Sequence, residues 1–231
     1  MIDGARVIDA HQHFRDLEAG GYAWLGPKYG VINRSFAIAD VEPLAEAAAG
    51  VDDVVPAEAD DTLADTEAMI RIVGIRHLMH KEPDPDRVVS PPVQRGLAAL
   101  ERAGLPNDLV GVLPRHFAKP PIAAGERQPW AGLMAAAAQF PSVSAKISGL
   151  DTAAGDNYMA AAIRPYDEQA LEHFGADRRM FGSDRPVSVL ADGSATLWQT
   201  VLEVLDPLTA DESVAVFGGT SRHIYGLRSA G

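Results

Sequence analysis

His11 and His13 stand two residues apart at the end of a largely apolar run, VIDAHQH. Residues i and i+2 of a strand face the same side. Two imidazoles so placed can converge on one metal ion or one substrate oxygen, and imidazole titrates near neutrality. The plainer alternative is a pair of surface histidines at a strand end. The firm strand character of the preceding residues weighs against it.

Asp184, in MFGSDRP, is the second candidate. A carboxylate directly after a buried apolar strand lies at the C-terminal face of a parallel sheet, where such folds place their chemistry. There it can hold a metal or act as general base. An Asp that merely caps a turn is the competing explanation.

GIRHLMH at 74–80 brings Arg76 and His77 to another strand end, with His80 close by. Arg offers a rigid fork to a carboxylate or to hydroxyls, and His77 could bind substrate or polarise a carbonyl. Either could instead be a buried residue that holds the loop. His116 in LPRHF ends a further strand, and a plain loop histidine is its alternative. Trp24, in the glycine-rich GGYAWLGPKYG, could line a pocket. His173 and His223 fall on helices away from strand ends and read as structural. Trp130 and Trp198 recur at helical spacing and read as core.

The elements that must position these residues alternate strand and helix. Strands are predicted at Arg6–Phe14, Asp52–Ala59, Gly74–His80, Asp108–Leu113, Val143–Leu150 and Arg179–Asp184. Helices are predicted between them: Asp40–Ala49, Asp61–Val73, Ser90 to Gly104, from Pro129, from Pro165 to Gly175, and around Trp198–Leu205. Thr209 and Glu212 form a capping box for a last helix. Such alternation implies a parallel sheet. Six strands fall two short of an eight-stranded barrel, which runs to roughly 250 residues.

Two junctions are abrupt. The helix ending at Val73 meets the strand at Gly74 with almost no loop. The strand ending near His116 runs into AKPPIAAGERQPW with no helix between. Each junction has room in the pattern for one more βα unit of about 30 residues.

Bulk properties narrow the class. With 231 residues, 47% hydrophobic and 23% charged, the chain has an ordinary globular composition and is read as a single domain, 1–231. A net charge of −12 argues against a nucleic-acid partner, because phosphate binding needs a basic face. Without cysteine there is neither a disulfide framework nor a thiolate metal site. No run reaches membrane-helix length and no secretory leader is recognised, so a cytoplasmic protein without a membrane partner is expected.

Taken together, IDAHQHF, GIRHLMHKEPDPD, AKPPIAAGERQPW, KISGL, MFGSDRPV and VFGGTSRHIYGL resemble the amidohydrolase-related sugar lactonases, a group that includes L-fuconolactone and L-rhamnonolactone hydrolases. The resemblance runs from Ile8 to Leu227. It implies an α/β fold, a distorted (β/α)8 TIM-like barrel, that opens a small-molecule lactone with water in carbohydrate metabolism. It implies His11, His13 and Asp184 as the catalytic centre, with Asp184 as general base. It places Arg76 and His77 on the fourth strand against substrate, with His80, His116 and Trp24 as further substrate contacts. Some relatives of this kind bind zinc at the His11, His13 and Asp184 positions, and others work without metal. Amide hydrolysis, non-oxidative decarboxylation and an impaired barrel that only binds its ligand are the other activities such a scaffold allows.

The sequence departs from that group in places. Two βα segments are missing, at Val73–Gly74 and Phe117–Ala118, where the junctions are abrupt. A closed barrel cannot lose internal strands without exposing edges, so omission of residues from the sequence is expected rather than evolutionary loss. His116 then belongs to the fifth strand, with the histidine of the sixth absent; the alternative makes His116 the stand-in for that sixth-strand histidine. Arg15 and Arg185 stand where relatives carry Trp. Arg185 is expected to lower the pKa of Asp184 and narrow the pocket.

Overall fold

The segment VIDAHQH forms strand β1, Val7–His13, and every one of its residues is buried. Val7 faces the helices, whereas Ile8 and Ala10 pack with Val55, Met180 and Tyr225 on the opposite side. A strand covered on both faces belongs in a parallel sheet flanked by helices. The computed structural model describes residues 6–18, 22, 24–37, 40, 51–57, 74–77, 90–109, 120–155, 158–190 and 194–227.

Among the described residues, six strands form where the sequence predicts them. β2 is Val51–Ala57, β3 Ile75–His77, β4 Asn107–Leu109, β5 Ala145–Ile147 and β6 Arg179–Phe181. They pair in parallel as β1–β2, β3–β4 and β5–β6. Beyond β6 the chain continues onto β1. The Asp184 backbone N–H donates to the His11 carbonyl at 2.8 Å, and the His13 N–H donates to the Arg185 carbonyl at 2.7 Å. The last strand therefore lies beside the first, the neighbour relation that a closed barrel requires. Among the described residues no ladder joins β2 to β3 or β4 to β5.

The helices connect and follow the strands. Helix α1, Pro91–Ala103, starts after Ser90 with Pro at its first turn and stops at Gly104, whose φ of 66° is left-handed. That is the start and stop the sequence predicts. Helix α2 is Trp130–Ala138 and α3 is Leu150–Ala154. Helix α4, Ala160–Phe174, corrects the prediction: Pro165 lies inside it rather than at its start. Burial of Ile163, Tyr166, Ala170 and Phe174 offsets the backbone hydrogen bond that the proline cannot donate. Helix α5 is Ser194–Leu205. Helix α6, Ala210–Val214, carries the expected capping box between Thr209 and Glu212. A π-helical turn, Ala215–Gly219, leads into α7, Thr220–Ile224.

That π-turn presses on the start of β1. A Cβ at Gly218 would lie 2.2 Å from the Arg6 carbonyl oxygen, so only glycine fits. Phe181, Trp198 and Phe217 meet with ring centroids 5.3–5.7 Å apart and join β6, α5 and the π-turn. Trp130 packs on Tyr166, so both tryptophans predicted as core are core. His173 and His223 occupy the last turns of α4 and α7, as expected of structural histidines. The predicted helices at 40–49 and 61–73 and both abrupt junctions lie outside the described residues, apart from Asp40 and Gly74. Among the described residues no helix is long and apolar enough to cross a membrane.

Candidate active site

The end of β1 and the turn after β6 bring three side chains to one point. His11 Nε2 lies 3.2 Å from His13 Nε2 and 3.3 Å from Asp184 Oδ1, and His13 Nε2 lies 3.7 Å from the same oxygen. All three residues are buried. The approach depends on Gly182, where a Cβ would stand 2.6 Å from the His11 Cβ. Asp184 adopts φ 54°, the only non-glycine with positive φ among the described residues. Strained backbone of this kind collects at functional sites, and Asp tolerates it better than most residues.

Burial and mutual contact set the charge state. Burial pushes His11 down to about 4, so its ring is neutral at physiological pH. Burial works to raise the Asp184 carboxyl, but hydrogen bonds from His11 and His13 outweigh it and hold the group well below the usual carboxylate range. The lowering expected from Arg185 thus comes from the two histidines. Arg185 is drawn instead by the charges of Asp40 and Asp9. The buried Arg15 donates to the carbonyls of Arg34 and Ile32 and lies over the rings of Phe36 and Trp24. It ties the loop after β1 to the strand.

Two imidazoles and a carboxylate are the donor set a borderline divalent cation prefers. Zinc bonds of about 2.0–2.1 Å in tetrahedral array put donors about 3.3–3.4 Å apart. The observed separations of 3.2, 3.3 and 3.7 Å fit that spacing, so the residues suit a divalent ion, zinc among them. The same triangle suits proton transfer without metal. A histidine nitrogen that donates to Asp184 cannot also offer its lone pair to an ion.

The other candidates lie on other segments of the chain. Arg76 and His77 are residues of β3. His80 and His116 lie outside the described residues. Trp24 is half-buried and meets Tyr29 edge-on at 5.4 Å in the loop after β1.

Sequence reasoning passed over Asp9, Ser183 and Lys146. The fully buried Asp9 carboxylate accepts hydrogen bonds from the backbone N–H groups of His11 and Ser183 and from the Ser183 hydroxyl. Burial raises its pKa to about 6. Lys146 Nζ donates to the Ala10 carbonyl at 2.9 Å. An acidic residue inside an otherwise apolar strand was the available signal for Asp9.

Known proteins share this arrangement of chain. The profile of the family described as amidohydrolase matches residues 33–227. An L-fucono-1,5-lactonase of Burkholderia multivorans is 30% identical over 289 aligned positions covering 97% of each chain. One from Burkholderia ambifaria is 29% identical over 276 positions covering 94% of each. Both alignments are longer than this 231-residue chain. An amidohydrolase crystal structure from Burkholderia multivorans with bound zinc superposes with a TM-score of 0.84 at 26% identity, over 97% of this chain and all of the other.

Proposed function

The chain belongs to the amidohydrolase family and is a hydrolase acting on cyclic esters, and from that premise we propose that it opens a sugar-derived or similarly polar lactone. The observation that carries the reading is the buried triangle of His11, His13 and Asp184 at adjoining strand ends. Asp184 takes a proton from water as the water oxygen attacks the lactone carbonyl carbon. The ring C–O bond then breaks, the ring oxygen regains a proton, and a hydroxy acid leaves. His11 and His13 orient the carboxylate and face the oxyanion that develops on the carbonyl. When the site is loaded, His11, His13 and Asp184 would hold the divalent ion, which would supply Lewis acidity toward the carbonyl or the water. Arg76, His77, His80, His116 and Trp24 are proposed as contacts to the lactone hydroxyls.

A panel of sugar lactones followed by pH-stat, before and after chelation, tests this. Turnover is expected, lost on chelation and restored by zinc. Turnover indifferent to chelation would leave His11, His13 and Asp184 acting without metal. Absence of turnover on every lactone, with ligand binding intact, would overturn the reading in favour of a barrel that only binds.

We further propose that the complete barrel carries two more βα units, one between β2 and β3 and one between β4 and β5. The two breaks in the ladder support this, as do alignments longer than the chain itself. The polypeptide translated from the native gene is then expected to exceed 24.5 kDa by intact mass spectrometry. A mass of 24.5 kDa would refute it.

A further inference from the structure

We propose that Asp9 and Ser183 form a latch beneath the active site that sets the spacing and aim of His11 and Asp184. The proposal rests on the reading of His11, His13 and Asp184 as the metal-holding centre, and it concerns residues that touch neither substrate nor metal.

Asp9 precedes His11 by two residues, and Ser183 directly precedes Asp184. Neither Asp9 nor Ser183 has any exposure to solvent. Asp9 Oδ1 accepts from the His11 N–H at 3.0 Å and from the Ser183 N–H at 2.9 Å. Asp9 Oδ2 accepts from the Ser183 hydroxyl at 2.5 Å, and that hydroxyl accepts from the Arg185 N–H at 3.3 Å. One carboxylate thus joins two chain segments 174 residues apart in sequence.

The backbone explains why a side chain is needed. The β1–β2 register shifts between Asp9 and Gln12, so the ladder is irregular where the histidines begin. A bulged strand leaves a backbone group unpaired by its neighbour, and a buried N–H must find an acceptor. Asp9 supplies that acceptor to His11. With its other contacts it holds the turn that presents Asp184 at φ 54°. Lys146, donating to the Ala10 carbonyl between Asp9 and His11, braces the same bend from β5. Asp9 and Ser183 are therefore positioning residues.

The contacts predict an ordering among variants. Asp9→Asn keeps the oxygen that accepts both N–H groups, and its amide can donate to the Ser183 hydroxyl, which has a lone pair to spare. Asp9→Ala removes every contact. Ser183→Ala removes only the hydroxyl and provides a milder test if Asp9→Ala does not fold.

Zinc affinity of the metal-stripped protein, measured by competition with a chelator, should fall about 10- to 100-fold in Asp9→Ala. A smaller fall is expected in Ser183→Ala, and Asp9→Asn should stay within about threefold of wild type on the same scale. Backbone amide exchange of His11 and Ser183 should accelerate in Asp9→Ala but not in Asp9→Asn. Zinc binding by wild type that is lost in Asp184→Asn is the control on the reading of the centre. Should wild type bind no zinc, the metal-centre reading fails, and the amide exchange still decides the latch. Unchanged exchange at both amides in Asp9→Ala, or Asn as damaging as Ala, would overturn it. So would wild-type zinc affinity in both Asp9→Ala and Ser183→Ala.

Discussion

Asp184→Asn is expected to lower kcat for lactone hydrolysis on the order of 10²- to 10⁴-fold, the usual contribution of a positioned general base, with little change in KM. The substitution is nearly isosteric, and Asn tolerates the left-handed backbone at φ 54° as Asp does. The turn after β6 therefore keeps its shape, and the backbone contacts of residue 184 with His11 remain. What disappears is the charge that accepts the proton and, with it, the anionic ligand of a bound ion. Because the proposed role of Asp184 is toward water rather than lactone hydroxyls, the loss is expected in kcat. A pH-stat comparison of kcat and KM checks this, and undiminished turnover would remove Asp184 as the base.

The same contacts fix the acid limb of the metal-free wild type. Asp184 is held below the ordinary carboxylate range, so it stays ionised through mildly acidic pH. His11, lowered to about 4, stays neutral until the pH falls to about 4. The unfolded chain binds a proton at this histidine at a higher pH than the folded chain does. Its contribution to stability is therefore complete above about 6.5 and is lost as the pH falls toward 4. Protonation of His11 should produce no loss of rate near pH 6.5, where an unperturbed histidine would titrate.

The sequence made the strands and two arms of the site legible for a physical reason. The apolar residues of VIDA and MF mark β1 and β6, and the residues that follow them lie at a strand end. His11, His13 and Asp184 satisfy that rule. Asp9 and Ser183 do not, because their role exists only once β6 lies against β1. An acidic residue within VIDA and a small residue within FGSD gain meaning from a partner on a distant segment. Pro165 misled for a related reason: proline favours a helix start locally, while burial of Ile163, before the proline, extends α4 toward its N-terminus. Arg185 looked like a neighbour of Asp184 because they are adjacent in sequence. Asp184 turns the chain at φ 54°, and Arg185, whose pKa burial lowers, is favoured by the charges of Asp40 and Asp9.

Asp167→Ala is expected to cost about 3–5 kcal/mol of stability, because it strands a charge in the core. Arg179 begins β6 with no solvent exposure, and its guanidinium meets the Asp167 carboxylate of α4. Among the described residues its Nε and Nη1 have no hydrogen-bond partner, so Asp167 is its main compensation. Burial raises the Asp167 carboxyl even with the guanidinium beside it. Desolvation therefore outweighs attraction, the condition under which an apolar replacement of both partners becomes harmless. Asp167→Leu combined with Arg179→Met should accordingly match wild type or exceed it, whereas Asp167→Ala should lower Tm by about 6–20 °C at 2–4 °C per kcal/mol. Differential scanning calorimetry of the two variants checks the ordering, and a double variant as unstable as the single one would show that the pair itself holds β6 to α4. Arg179 and Asp184 are five residues apart, on the order of 15 Å along extended chain. The folded double variant should thus retain kcat, separating what holds β6 in place from what its far end does.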